Sequence, residues 1–318
     1  MENLSDLSLF CLVLVKECGS PDTLSEEDKA EEFRKVYLRN LPLNVMTIMA
    51  AARACGINLV ALSASKMPRN MRGYHEMIID GMTIDSRKTN YYREDDTVSG
   101  LENAILHEMR EMMERIFPEV CPGYNPLRTL ATHLAANRFA TAVLLPRESF
   151  ERKVYETGLD VIALADFHQK SCSQVLLRMG EVLQGKLFFY GALYELGLDV
   201  EPDWMVTYWT RSWNEEFPED NLHGVEGLFP RKGHQVIPGS LVSRVILEER
   251  PHLVRRITLL DDDDDEEGLT AIAQPYAPWG NIATKVAMVV LLVRDRELLR
   301  PQLERTRPTT INHFHQHL

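Results

Sequence analysis

The 318-residue chain lacks any cysteine pair spaced C-x-x-C. Its five cysteines, Cys11, Cys18, Cys55, Cys121 and Cys172, are odd in number and scattered. That excludes a disulfide framework and a Cys-rich zinc site, and it fits a reducing, cytoplasmic setting with buried thiols. A bilayer-length apolar run is also missing. Leu7 to Val15 is too short to span and has no basic residue before it, so a buried N-terminal helix is expected rather than an anchor or signal peptide. Positive charge is scarce: the formal net charge is -12, which argues against nonspecific nucleic-acid binding by the whole chain. Much of the acid is local, at Asp261 to Asp265 with Glu266 and Glu267, where a solvated loop is expected because the run lacks the spaced ligands of a calcium loop.

What is present is a soluble globular composition, 45% hydrophobic and 26% charged, over enough length for two or three domains. Within it, His107-Glu108-Met109-Arg110-Glu111 lies between Ala104-Ile105-Leu106 and Met112-Met113. Helical positions i and i+4 share a face, so His107 and Glu111 can hold one metal ion with Glu108 beside it. That is the geometry of H-E-x-x-H zinc hydrolases, with Glu111 standing where the second His would be. The pentapeptide alone is also what an ordinary solvated helical face presents.

Downstream, Ala136-Asn137-Arg138-Phe139-Ala140 runs through Leu144-Leu145-Pro146 to Phe150 and Gly158-Leu159-Asp160. Together with the H-E-x-x-E segment, this stretch resembles the ImmA/IrrE family of metallopeptidases. There a helix reading E-x-x-A-N-x-F-A continues into L-L/M-P, and its glutamate, four residues before the Asn, is the third zinc ligand. Here His133 holds that place. The resemblance therefore implies a ligand set of His107, Glu111 and His133, in which two imidazoles and one carboxylate survive with two positions exchanged. Such a set with one open position suits catalytic zinc, and the exchange leaves the ligand charge unchanged. Zinc would supply Lewis acidity, and Glu108 would take a proton from the attacking water and deliver it to the leaving amine. No residue is singled out to stabilise an oxyanion; Tyr74 and His75 are possibilities for which core or surface roles are the default.

Around these residues, Asn44 to Cys55 reads as a helix stopped at Gly56, and Ile57 to Leu62 as a strand. Gly73 to Gly81 and Met82 to Asp85 read as two short strands around a turn. The family has a strand pair there, and its edge strand is expected to align a peptide substrate by backbone pairing.

Beyond residue 157, Leu159 to Ala165 and Ser171 to Met179 read as two amphipathic helices, with Ser171 as N-cap of the second. The pair is similar to the helix-turn-helix-like segment that follows the family's peptidase part. It is locally neutral, since Asp160, Asp166 and Glu181 offset Lys170, Arg178 and Lys186, so packing is expected rather than DNA reading. From about 187, Gly239 to Pro251 reads as a helix, Leu253-Val254 as the start of an extended stretch, and Leu269 to Tyr276 and Val286 to Val293 as paired strands. The order is similar to a GAF sensor domain, which IrrE-type proteins also carry. Trp204, Trp209, Trp213 and Trp279 could line its pocket or fill its core. His313, His315 and His317 alternate in a tail expected to be disordered.

The expectation is thus an α+β chain: a zincin-like peptidase domain over 1-157, a helix-turn-helix-like segment over 158-186, a GAF-like α/β domain over 187-306, and a tail over 307-318. The resemblance implies a cytoplasmic zinc endopeptidase that cleaves a DNA-binding repressor under stress, with a possible small-molecule ligand in the GAF-like part. Two further readings stay open: a silent peptidase-fold regulator that binds a repressor without cutting it, and a ligand sensor.

Overall fold

The first apolar segment forms α1 (Asp6–Cys18), and Leu7, Phe10, Cys11 and Leu14 turn one buried stripe inward at helical spacing. A computed structural model describes residues 6–39, 41–63, 65–67, 71–77, 88–197, 203–213, 229–248, 252–259, 267–276 and 284–304. The Asp261–Asp265 run, Met82 to Asp85, Trp279 and the three tail histidines lie outside these. By internal contacts the chain falls into two units, Met1–Arg147 and Glu148–Leu318.

In the first unit, α2 (Glu26–Phe33) starts at a capping box in which Ser25 and Asp28 satisfy each other's backbone N–H groups, and it runs on into a π-turn at Arg34–Leu38. The Asn44 signal marks the start of α3 (Val45–Ala54), where Asn44 and Thr47 form a second capping box. Gly56, at φ +70°, turns the chain into β1 (Ile57–Leu62). β1 pairs in parallel with β3 (Lys88–Arg93), and β2 (Gly73–Met77) pairs antiparallel with β3, giving the order β1-β3-β2. Two long helices complete the unit: α4 (Val98–Val120) and α5 (Thr129–Leu144).

α4 is the spine of this unit, packing on α1, α3, α5, β2 and β3. Ile105, Leu106, Met109, Met112, Met113 and Phe117 on it are fully buried. Edge-on ring contacts from Phe33 to Phe10 (5.9 Å) and to Phe139 (5.8 Å) extend the same core.

α6 (Arg147–Thr157) starts at the last residue of the first unit and leads into the second, where α7 (Val161–His168) and α8 (Cys172–Val182) follow. Asp160 caps α7, and Ser171 caps α8 in a capping box with Gln174. Then come β4 (Phe189–Leu196), β5 (Trp204–Ser212), α9 (Leu241–Glu248), β6 (His252–Leu259), β7 (Glu267–Tyr276) and β8 (Lys285–Leu292), followed by a 3-10 turn at Val293–Leu299. The five strands form one antiparallel sheet in the order β5-β4-β8-β7-β6. Glu267, read with the acidic run, is the first residue of β7.

Alternate residues divide the sheet's two faces. Tyr190, Ala192, Tyr194, Ala271, Ala273, Met288 and Val290 share one core cluster with Val242 and Val245 of α9. α8 packs on β4 and β5 from the other direction, where Gly191 leaves room for Leu176. Trp204, Trp209 and Trp213 pack against the α9-side cluster, so the core role holds for these three. Among the described residues no helix is long and apolar enough to cross a membrane.

Candidate metal centre

His107 and Glu111 stand one turn apart on α4, at the margin of its buried face. α5 packs along α4 and presents His133 and Asn137, also one turn apart. The two helices bring the three expected ligands together. Glu111 Oε1 lies 3.1 Å from His107 Nε2 and 3.5 Å from His133 Nδ1, and one donor atom from each residue falls within 4.8 Å of the other two. The His107 and His133 rings meet edge-on at 4.4 Å.

Asn137 completes the arrangement. Its Oδ1 is 3.1 Å from His107 Nδ1, so Nδ1–H donates to the amide oxygen, and Nε2 faces Glu111 Oε1 at 3.1 Å, donating to it while the ring is protonated and open to a cation once it is not. An outer partner that fixes ring and tautomer in this way is characteristic of metal-ligating histidines. Glu111 is held below the usual carboxylate range, chiefly by its hydrogen bond with His107; partial burial opposes this, while the charge of His75 and the bond with His133 add to it. A lasting carboxylate with two imidazoles, on two packed helices and with one ring locked from behind, fits a divalent cation such as zinc. His133 is the open side, its side chain 58% exposed against 9% for His107.

Glu108 is buried next to His107 and does not join this trio. Its Oε2 pairs with Nδ1 of His75 on β2 at 2.7 Å. β2 can run this close to α4 because residue 73 is glycine: a Cβ there would already press on Tyr91 O at 3.1 Å and touch Glu108 Cγ at 3.4 Å. Tyr74, on the opposite side of the strand, stacks on Tyr91 at 4.5 Å. His75 is thus drawn to the carboxylates, and Tyr74 is engaged by a ring.

Arg110, the residue before Glu111, anchors α4. Its side chain is fully buried and forks onto Glu26 of α2 at 2.7 and 2.8 Å while donating to Glu114 at 2.8 Å. Glu114 also accepts from the Tyr124 hydroxyl at 2.5 Å and from the Leu127 N–H at 2.7 Å. Burial works against its charge, yet these donors hold its carboxyl below the ordinary range. The network fixes the connection between α4 and α5 and thereby the start of the helix that carries His133.

Asn137 has no expected role in the sequence, and core or surface is the default there for His75. The i+4 spacing of Asn137 from His133 was the available signal for the first; nothing local marked the second.

No family model matches the sequence. Comparison with curated proteins also gives no match. Among solved structures, the chain is similar to one described as a Mycobacterium tuberculosis transcriptional regulator, with a TM-score of 0.55 at 12% identity over 92% of this chain and 83% of that one. At that identity the likeness is one of fold: a helical, mixed-sheet unit followed by an antiparallel-sheet unit.

Proposed function

We propose that this chain is a cytoplasmic zinc-dependent endopeptidase of the ImmA/IrrE type that acts on a DNA-binding repressor, with its second unit serving as a sensor. The observation that carries the reading is the convergence of His107, Glu111 and His133 beside Glu108. Zinc held there would polarise a scissile carbonyl and acidify the attacking water. Glu108 is positioned to accept that water's proton, and its partner His75 orients the carboxylate. Asn137 keeps the His107 ring turned to the site, and the exposed His133 side leaves room for a chain to approach.

The solved protein of similar fold is described as a transcriptional regulator, which supports a regulatory setting. In this reading residues 1-157 are the peptidase, 158-186 a helix-turn-helix-like segment, and 187-306 a GAF-like domain supported by its five-stranded antiparallel sheet with α9 on the core face.

One observation favours a second reading, a regulator that binds a repressor without cutting it: the hydrogen bond of Glu108 to His75 engages the carboxylate that hydrolysis requires. The two separate with Glu108→Gln. As a peptidase, the variant keeps its metal by elemental analysis and loses cleavage of a co-expressed repressor; cleavage equal to wild type refutes the role of Glu108. No cleavage by either protein, with repressor binding retained, establishes the silent regulator.

A further inference from the structure

A second donor set meets on the same helix. His75 on β2 and Glu108 and Glu111 on α4 offer one nitrogen and two carboxylate oxygens, all within 4.8 Å of one another. His75 Nδ1 is 2.7 Å from Glu108 Oε2 and 3.8 Å from Glu111 Oε2. Glu111 therefore faces two ways. Its Oε1 turns to His107 and His133, and its Oε2 turns to His75. A carboxylate that gives one oxygen to each of two adjoining donor groups has the disposition of a bridging ligand, as in sites holding two ions about 3.5–4 Å apart.

We propose that the centre takes a second divalent cation, bound by His75, Glu108 and Glu111, with Glu111 bridging it to the first. This deepens the peptidase reading and rests on it for the first ion. Zinc's preference for imidazole puts the first ion at His107 and His133, and charge makes the second ion the weaker one. With neutral imidazoles, Glu108 and Glu111 balance a single dication; a second brings excess positive charge against the same two carboxylates and binds more weakly. The His75 side chain is only 5% exposed, and its Nε2 has no hydrogen-bond partner among the described residues, so the ring is held from its carboxylate side. Occupying the second position exchanges the His75–Glu108 hydrogen bond for two metal contacts.

The consequence is regulatory. Glu108 bound to a cation through Oε2 is a much weaker base for the water proton, so excess divalent metal slows hydrolysis while leaving the first ion in place.

Metal-depleted full-length wild type, His75→Ala, His75→Gln and His133→Ala, each shown folded by circular dichroism, are dialysed against rising Zn²⁺ and analysed for bound metal. Zinc on the tail histidines adds equally to all four. The expected result is one fewer weakly bound equivalent in both His75 variants, with the tight one retained, and loss of the tight one in His133→Ala. Equal uptake by wild type and the His75 variants overturns the second site and leaves the first standing. No uptake in any protein removes both. Wild type alone gives an independent check with Co²⁺: ions bridged by Glu111 couple, so the electron paramagnetic resonance signal of the first equivalent fails to double with the second, whereas simple addition overturns the bridge.

Discussion

Asn137 Oδ1 receives the Nδ1–H of His107 at 3.1 Å, so a residue on α5 sets which nitrogen of a residue on α4 faces Glu111. Replacing Asn137 by Ala frees the ring and its tautomer. Outer partners of this kind are worth about 10–100-fold in metal affinity. A chelator competition should show that drop for Asn137→Ala, with an unchanged circular dichroism spectrum; affinity within twofold of wild type would mean Asn137 has no such role.

The exchange of ligand types gives a sharper test. Because Glu111 and His133 approach to 3.5 Å across two helices, Glu111→His with His133→Glu keeps two imidazoles and one carboxylate around the same point. The double variant should bind zinc, and His133→Ala alone should bind it more weakly. Loss of binding in the double variant, with none lost in His133→Ala, counts against the exchange.

Arg110 makes a prediction about stability. Arg110→Met leaves Glu114 without its cation and Glu26 with Lys29 alone, and should cost about 3 kcal/mol, the lower end of the range when one partner of a buried ion network is removed. Arg110→Lys restores the charge without the two-pronged fit to Glu26 and should recover only part of it. Urea unfolding measures both; a loss under about 1 kcal/mol for Met would show the network to be dispensable.

His168 on α7 gives a pH dependence. Its ring packs against Phe150 at 5.3 Å and Phe167 at 4.9 Å, and burial, followed by the charges of Lys170 and Lys153, lowers its pKa from 6.5. The unfolded chain therefore takes up the proton first as pH falls. Stability from this group is complete above the unfolded value and declines as pH drops through 6.5 toward the folded value. Urea midpoints at pH 8 and pH 5 should differ more in wild type than in His168→Phe; equal differences would assign the acid sensitivity elsewhere.

Local chemistry was the legible part. Asn44 and Ser171 mark helix starts because a cap is decided within three residues, and the i, i+4 pair His107 and Glu111 needs only the pitch of one helix. Arg110 was not legible. The pentapeptide that holds it is also what a solvated helical face presents, yet Arg110 is buried because Glu26, 84 positions earlier, meets it. The His75–Glu108 contact joins residues 33 apart and depends on how β2 crosses α4. The adjacency of β4 and β8 likewise follows from sheet assembly, which no local pattern encodes. Local sequence is equally compatible with a pocket or a core place for Trp204, Trp209 and Trp213, which pack against the cluster on the α9 side of the sheet.

α4 carries His107, Glu108 and Glu111 on the same 23-residue helix whose other residues fill the centre of the first unit. Site and scaffold are therefore one thermodynamic object. A cation bound by His107, Glu111 and His133 holds α4 against α5 and adds its binding free energy to folding, by RT ln(1 + [L]/Kd). The melting temperature of the whole unit then serves as a gauge of occupancy, readable before any substrate is known.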